Sequence, residues 1–234
     1  MSDPSATIEI ETAPNPEFAV ILMHGLGADA SDFVPLVPEL RLANGPAVRF
    51  VFPNAPQIAV TANSGYVMRA WYDIRSFESI DRQVDETGIE ASCATVRQLI
   101  EAQNQRGIPA SKVFVAGFSQ GAAMTYSAGL THPEALAGLI VMSGYVPSRR
   151  LIESNFSIAN RDTPIFAAHG TFDDILPIQL GEAARDFARA QGCSVEWNAY
   201  PMPHSVCAEE IEALGAWLSE RFKSPREPRV QSPG

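Results

Sequence analysis

Val113-Phe114-Val115-Ala116-Gly117-Phe118-Ser119-Gln120-Gly121-Ala122-Ala123-Met124 reads as a strand, a sharp turn and the start of a helix. Val113–Ala116 is a continuous apolar run with no polar alternation, the pattern of a strand buried on both faces of a parallel sheet. The Ala-rich stretch after Gln120 favours helix. Between them Gly117, Ser119 and Gly121 spell G-x-S-x-G, which alone recurs by chance in loops. Flanked by strand and helix, it has the context of a nucleophile elbow. Such a turn forces strained backbone angles on the serine, and glycines on either side lack the Cβ that would clash. The Ser119 hydroxyl is then expected to point out of the sheet, with the helix N-terminus presenting amides and a positive dipole end to any oxyanion.

Working outward, further strands are expected at Ala6–Glu11, Ala19–Met23, Val48–Phe52, Gly138–Met142, Ile165–Ala168 and Val195–Tyr200. The runs before Met23 read best as an antiparallel edge. Helices are expected at Gly88–Gln105, where Ile89, Cys93, Val96 and Ile100 form one stripe, and at Gln120–Leu130, Pro177–Ala190 and Ala208–Phe222. Strand–helix alternation implies βαβ units, hence an α/β fold with a mostly parallel twisted sheet and helices on both faces. Ligands in such sheets sit at the carboxyl ends of the strands. One domain is expected over residues 1–222, with a disordered, Pro-, Ser- and Arg-rich tail from 223 to 234. Residues 55–85 show little periodicity; a loop that long is usually functional, so it is expected to form a wall or lid.

A serine nucleophile needs a base, itself oriented by a third group. In α/β-hydrolases the chain order is Ser, acid, His. His132, His169 and His204 follow Ser119. His132 reads as an exposed residue at a helix end. His169 precedes the acid candidates and reads as a packing or loop-fixing residue. His204, after the last strand and before the last helix, is the expected base. The acid should follow the strand ending near Ala168, where the loop offers Asp173 and Asp174; Asp162 precedes that strand and is disfavoured. Periodicity does not separate the adjacent pair. Pro177 suits a helix start, which makes Asp174 a capping candidate and leaves Asp173 modestly favoured. The strand Ala19–Met23 runs into His24-Gly25-Leu26-Gly27. Backbone amides of Leu26 and Gln120 are therefore the expected oxyanion donors, each worth about 3–4 kcal/mol in the transition state.

Bulk properties bound the alternatives. The chain has 234 residues, 46% hydrophobic, a length compatible with one α/β domain. Its net charge of −10 argues against nucleic-acid binding and stable membrane association. The three cysteines form no C-x-x-C pair, so no metal is expected, and reduced thiols point to the cytoplasm. Position 30 is Ala, so no G-x-G-x-x-G dinucleotide loop follows His24. The acidic N-terminus lacks the apolar core of a secretory signal.

HGLGADASDF, FPNAP, RAWYDIRS, GFSQGAAM, HGTFDDILP and YPMPHS, in this order from about Phe18 to Phe222, resemble the phospholipase/carboxylesterase family, which includes bacterial carboxylesterases and acyl-protein thioesterases. The resemblance implies an α/β-hydrolase fold without a large cap domain, and no cofactor. It implies hydrolysis of small-molecule substrates, namely short to medium acyl esters, thioesters or lysophospholipids, and is compatible with a homodimer. By the same resemblance Ser119 is the nucleophile, His204 the base and Asp173 rather than Asp174 the acid, with Leu26 and Gln120 as oxyanion donors. Met68 and Trp71 become candidate walls of an acyl channel. Three departures stand out: Ala122 where the family usually has a second glycine, Pro203 where it has glycine, and Thr171 where an acidic residue is common. None removes a catalytic group. A non-catalytic binding protein on the same scaffold would be expected to lack a member of the triad.

Overall fold

The computed structural model describes residues 7–76 and 85–223. In chain order the elements are β1 (Ile8–Glu11), β2 (Phe18–Met23), α1 (Leu36–Glu39), β3 (Val48–Phe52), β4 (Gln57–Val60), β5 (Tyr66–Arg69), α2 (Glu86–Gln105), β6 (Val113–Phe118), α3 (Gln120–Leu130), β7 (Gly138–Met142), α4 (Arg149–Asn155), β8 (Ile165–Gly170), α5 (Ile178–Ala190), β9 (Val195–Tyr200) and α6 (Ala208–Lys223). Seven strands form one sheet in the order β1-β3-β2-β6-β7-β8-β9. Only β1 pairs antiparallel, with Ile8 opposite Phe52; the other neighbours are parallel. The expectation of an antiparallel edge before Met23 therefore holds for β1 but not for β2. β2 lies inside the sheet between β3 and β6.

The continuous apolar runs have a simple cause. Along β2, Ala19, Ile21 and Met23 enter one core while Phe18, Val20 and Leu22 enter the other. Along β6, Val113 and Val115 face the first core, Phe114 and Ala116 the second. Helices α2, α3, α4 and α5 cover the first face; α1 and α6 cover the second. The inner strands are thus buried along both faces and lose polar alternation, whereas the edge strands β1 and β9 are part-exposed. In the second core Phe114 meets Trp217 and Phe222 edge-on at 5.9 and 5.7 Å, and Phe18 lies 4.7 Å from Phe222. Such aromatic pairs contribute about 0.5–1.5 kcal/mol each beyond area burial. They anchor α6, the helix that follows His204.

Residues 55–76 differ from the unstructured loop expected there. β4 and β5 form an antiparallel hairpin with Ile58 opposite Met68. Ser64 and Gly65 take positive φ at its turn. Asp73 ties it back, accepting from both the Thr61 N–H and its hydroxyl at 2.7 and 2.6 Å. The strands are short and lack a clean apolar face, so periodicity missed them; Asn63-Ser64-Gly65 was the available turn signal. Residues 77–84 of that stretch, and the expected tail beyond Lys223, lie outside the described residues. No helix among the described residues is long and apolar enough to cross a membrane.

Candidate active site

The sheet order reverses direction at β2. The chain steps from β2 out to β3, then returns to β6 on the other side. That switch point opens a crevice at the strand carboxyl ends. The loops after β2 and β6 meet there, joined by those after β8 and β9.

Ser119 sits between β6 and α3 with φ 56° and ψ −116°, a conformation costly for a residue with a side chain. Its N–H donates to Met142 O at 3.0 Å, and its carbonyl accepts from Ala123 N–H at 3.0 Å. The flanking glycines are required sterically. A Cβ on Gly117 would lie 2.2 Å from the Gly121 carbonyl carbon, and one on Gly121 would lie 2.2 Å from Met23 O. The extra methyl of Ala122 is accommodated: a Cβ on Gly144 would come within 2.7 Å of it, and Gly144 has none.

His204 Nε2 faces Ser119 Oγ at 2.9 Å, and its Nδ1 faces Asp173 Oδ2 at 2.7 Å. With Nδ1–H donating to the carboxylate, Nε2 is free to accept the serine proton. Phe118 packs on the imidazole with ring centroids 4.8 Å apart. Asp173 is buried; its Oδ1 accepts from the N–H groups of Ile175 and Leu176 at 3.0 and 2.7 Å. These bonds select Asp173 over Asp174, whose side chain is exposed at the cleft and does not cap α5. Asp162 lies before β8 and is not part of the cluster.

His169 has the loop-fixing place expected of it. Fully buried on β8, it donates from Nε2 to Leu176 O at 2.7 Å and lies 3.4 Å from Asp173 Oδ2. Burial lowers its pKa, so it stays neutral beside the acid. His132 departs from expectation: it is 4% exposed, not a surface residue, and neither ring nitrogen has a hydrogen-bond partner among the described residues. The chain leaving α3 is drawn inward by Asn160, whose amide donates to His132 O at 2.8 Å.

Leu26 and Gln120 line the crevice with Ser119. Gly27 N–H, next to Leu26, is engaged by Arg69 O at 2.8 Å. Among the described residues no backbone carbonyl takes the Leu26 or Gln120 N–H. The cleft measures about 540 Å³ and has apolar walls from Leu26, Ile74, Phe118, Tyr145, Ile175 and Leu176. Trp71 and Met68 are not among its lining residues. Trp71 is 2% exposed and points into the protein, and Met68 is half-buried, its sulfur near Gly27. The family resemblance made Trp71 a candidate wall, and its hydrogen bonds to Gln120 and His24 were not foreseen. Sequence reasoning also missed the Gln120 side chain, which is 1% exposed and bonded to the backbone of Trp71 and Tyr72.

Other groups do not compete for the chemistry. Burial pushes the Cys93 thiol up to about 12 and Cys193 up to about 11, so neither supplies a thiolate. No group of three or more His, Cys, Asp or Glu among the described residues is placed to hold a metal ion. The arrangement can activate a hydroxyl, bind an oxyanion and exclude water from an apolar chain.

Comparison with known proteins shows the family and the fold. The family model described as Phospholipase/Carboxylesterase matches residues 5–221. Acyl-protein thioesterase 1 of Yarrowia lipolytica is 36% identical over 208 residues, covering 87% of this chain and 92% of the relative. Carboxylesterase SOBER1 of Arabidopsis thaliana is 32% identical, covering 87% and 90%. Its crystal structure superposes with a TM-score of 0.82 at 31% identity, over 88% of this chain and 99% of that one. The structure of Zea mays acyl-protein thioesterase 2 gives 0.82 at 25% identity, over 93% and 99%.

Proposed function

Because the chain belongs to the phospholipase/carboxylesterase family of α/β-hydrolases, we propose that Ser119, His204 and Asp173 carry its hydrolysis of carboxylic esters and thioesters by two-step acyl transfer. The observation that carries this reading is the unbroken chain from Ser119 Oγ through His204 to Asp173, at 2.9 and 2.7 Å. Ser119 Oγ attacks the acyl carbon as His204 Nε2 takes its proton. Asp173 holds the imidazole tautomer and stabilises the cation that forms. The Leu26 and Gln120 amides bind the oxyanion, which collapses to expel the alcohol or thiol, protonated by His204. Water then attacks the acyl-serine with His204 again as base, the acid leaves, and Ser119 regains its proton.

The substrates are small molecules with short to medium acyl chains, a range the apolar cleft of about 540 Å³ supports. The names of the fungal relatives favour a second reading, in which the leaving group is a protein thiol. Residues 1–222 act as one domain, in the cytoplasm, with the three free cysteines in support; a homodimer is compatible with this assignment. A chain-length series of aryl esters with matching thioesters, run on wild type and Ser119→Ala, tests it. The alanine variant should lose at least a thousandfold in kcat/KM on both series. Full activity in that variant would remove the assignment.

A further inference from the structure

Resting on the assignment of the Leu26 and Gln120 amides as oxyanion donors, we propose that Trp71 is a positioning residue for that hole and that the Gln120 side chain locks it in place. Trp71 is not among the residues that line the cleft. Its indole Nε1–H donates to His24 O at 2.9 Å. Two residues on, Leu26 carries the first donor amide, and just past it Gly27 N–H donates to Arg69 O at 2.8 Å. The segment 69–71 therefore holds the donor loop on both sides of Leu26, by its carbonyl before and its amide after. His24 adds a third tie. Its neutral ring donates from Nδ1 to Gly25 O at 2.7 Å and accepts the Ala55 N–H at 3.0 Å. Burial lowers the His24 pKa, which keeps that acceptor available.

Something must fix segment 69–71 in turn, and Gln120 does. Its Oε1 accepts the Trp71 N–H at 2.9 Å, and its Nε2 donates to Tyr72 O at 2.8 Å. The Ser92 hydroxyl donates to Trp71 O from the other side, out of α2. Gln120 is the residue whose own amide is the second donor. One side chain thus ties the clamp on the first donor to the backbone that carries the second. The path runs from Gln120 through Trp71 and His24 O to Leu26, and it sets the separation of the two amides. Donors of this kind act only when already within about 2.7–3.1 Å of the oxyanion's final position. A relaxation of a few tenths of an ångström at His24 O is enough to weaken the pair. A glutamine here supplies a donor and an acceptor at once, which neither glutamate nor lysine does.

The test compares full-length wild type, Trp71→Phe and Gln120→Met. Phenylalanine keeps an aromatic ring and removes the N–H. Methionine keeps the length of Gln120 and its backbone amide but removes both side-chain bonds. Three quantities are measured with a short-chain aryl ester, after counting active sites by fluorophosphonate titration. These are kcat, KM, and the inhibition constant of a trifluoromethyl ketone with the same acyl chain, whose adduct carries the oxyanion. Losing one donor outright costs about 10²–10³ in kcat, so a displaced donor should cost about tenfold. Both variants should show that fall in kcat per active site, KM within twofold, and ketone binding weakened by the same factor. A purely structural Trp71 would lower the melting temperature and leave kcat per titrated site and ketone binding unchanged. A Trp71 that formed a substrate wall would raise KM alone. Either result, in whichever variant folds, overturns the proposal. Ser119→Ala, run alongside, separates the two levels. An active alanine variant strikes at the nucleophile, whereas an inactive one beside a normal Trp71→Phe strikes only at the positioning role.

Discussion

Glu210→Gln should stabilise the protein at alkaline pH and do little at acid pH. Glu210 lies in the first turn of α6, fully buried, and among the described residues neither carboxylate oxygen has a close hydrogen-bond partner. Burial raises its carboxyl from the ordinary 4.5 to about 8, and the nearby Cys207 N–H offsets only part of that. Between those two values the folded protein keeps a proton that the unfolded chain has released. Stability therefore falls as pH rises from about 4.5 to about 8 and stays reduced above. At about 1.4 kcal/mol per pH unit, that gap sets a ceiling near about 5 kcal/mol. Local rearrangement around the ionised carboxylate brings the expected loss to about 3 kcal/mol. Glutamine fills the same space, can still accept from Cys207 N–H and never ionises. Urea unfolding of wild type and variant at pH 5 and pH 8.5 measures the difference, extrapolated linearly to water. The variant should gain about 3 kcal/mol at pH 8.5, about 6–12 °C in Tm, and stay within about 1 kcal/mol of wild type at pH 5. A gain of equal size at both pH values, or a variant less stable at pH 8.5, would refute the reasoning. The comparison is between two proteins sharing the same histidines, so those titrations cancel.

His132 works in the opposite direction. Burial pushes its pKa down to about 4, with the Arg97 charge adding to the effect, so stability is lost as pH falls from about 6.5 towards 4. His132→Leu should remove about 2 kcal/mol of that acid-side loss, read as the change in urea midpoint between pH 7 and pH 4.5. At the elbow, Gly121→Ala would place a methyl 2.2 Å from Met23 O. Backbone does not yield as a flexible side chain would, so the variant should lose at least about 3 kcal/mol or fail to accumulate as folded protein, checked by thermal unfolding.

The strands were legible because the sheet buries both faces. Val48–Phe52 and Gly138–Met142, buried at every position, have the boundaries that the apolar runs suggest, and the half-exposed edge strand Val195–Tyr200 has the expected boundaries as well. Ser119 was legible for a related reason: a strand and a helix bracket it, and the glycines at 117 and 121 record steric limits that the structure makes explicit. The hairpin at 57–69 was not, since its strands rest on the domain through scattered residues such as Ile58 and Met68 rather than a periodic face. His132 was misplaced because its burial depends on Asn160, distant in sequence, whose side chain gathers the loop after α3.

Asp173 and Trp71 mark where a linear reading runs out. Two adjacent aspartates are equivalent to any periodicity argument. What separates them is that the amides of Ile175 and Leu176 turn back onto Asp173 Oδ1 and leave Oδ2 for His204. That turn is a property of the loop, not of either side chain. Trp71 poses the same problem for orientation. A tryptophan beside an expected cleft has an apolar ring suited to a wall and an N–H suited to a buried acceptor, and composition is silent on which is used. Here the Gln120 side chain holds the Trp71 backbone, and that turns the indole N–H onto His24 O. The G-x-S-x-G motif therefore encodes more than its serine. Its fourth residue, whose identity the motif leaves open, is where a glutamine can supply a backbone donor and also tie down the loop that carries the other one.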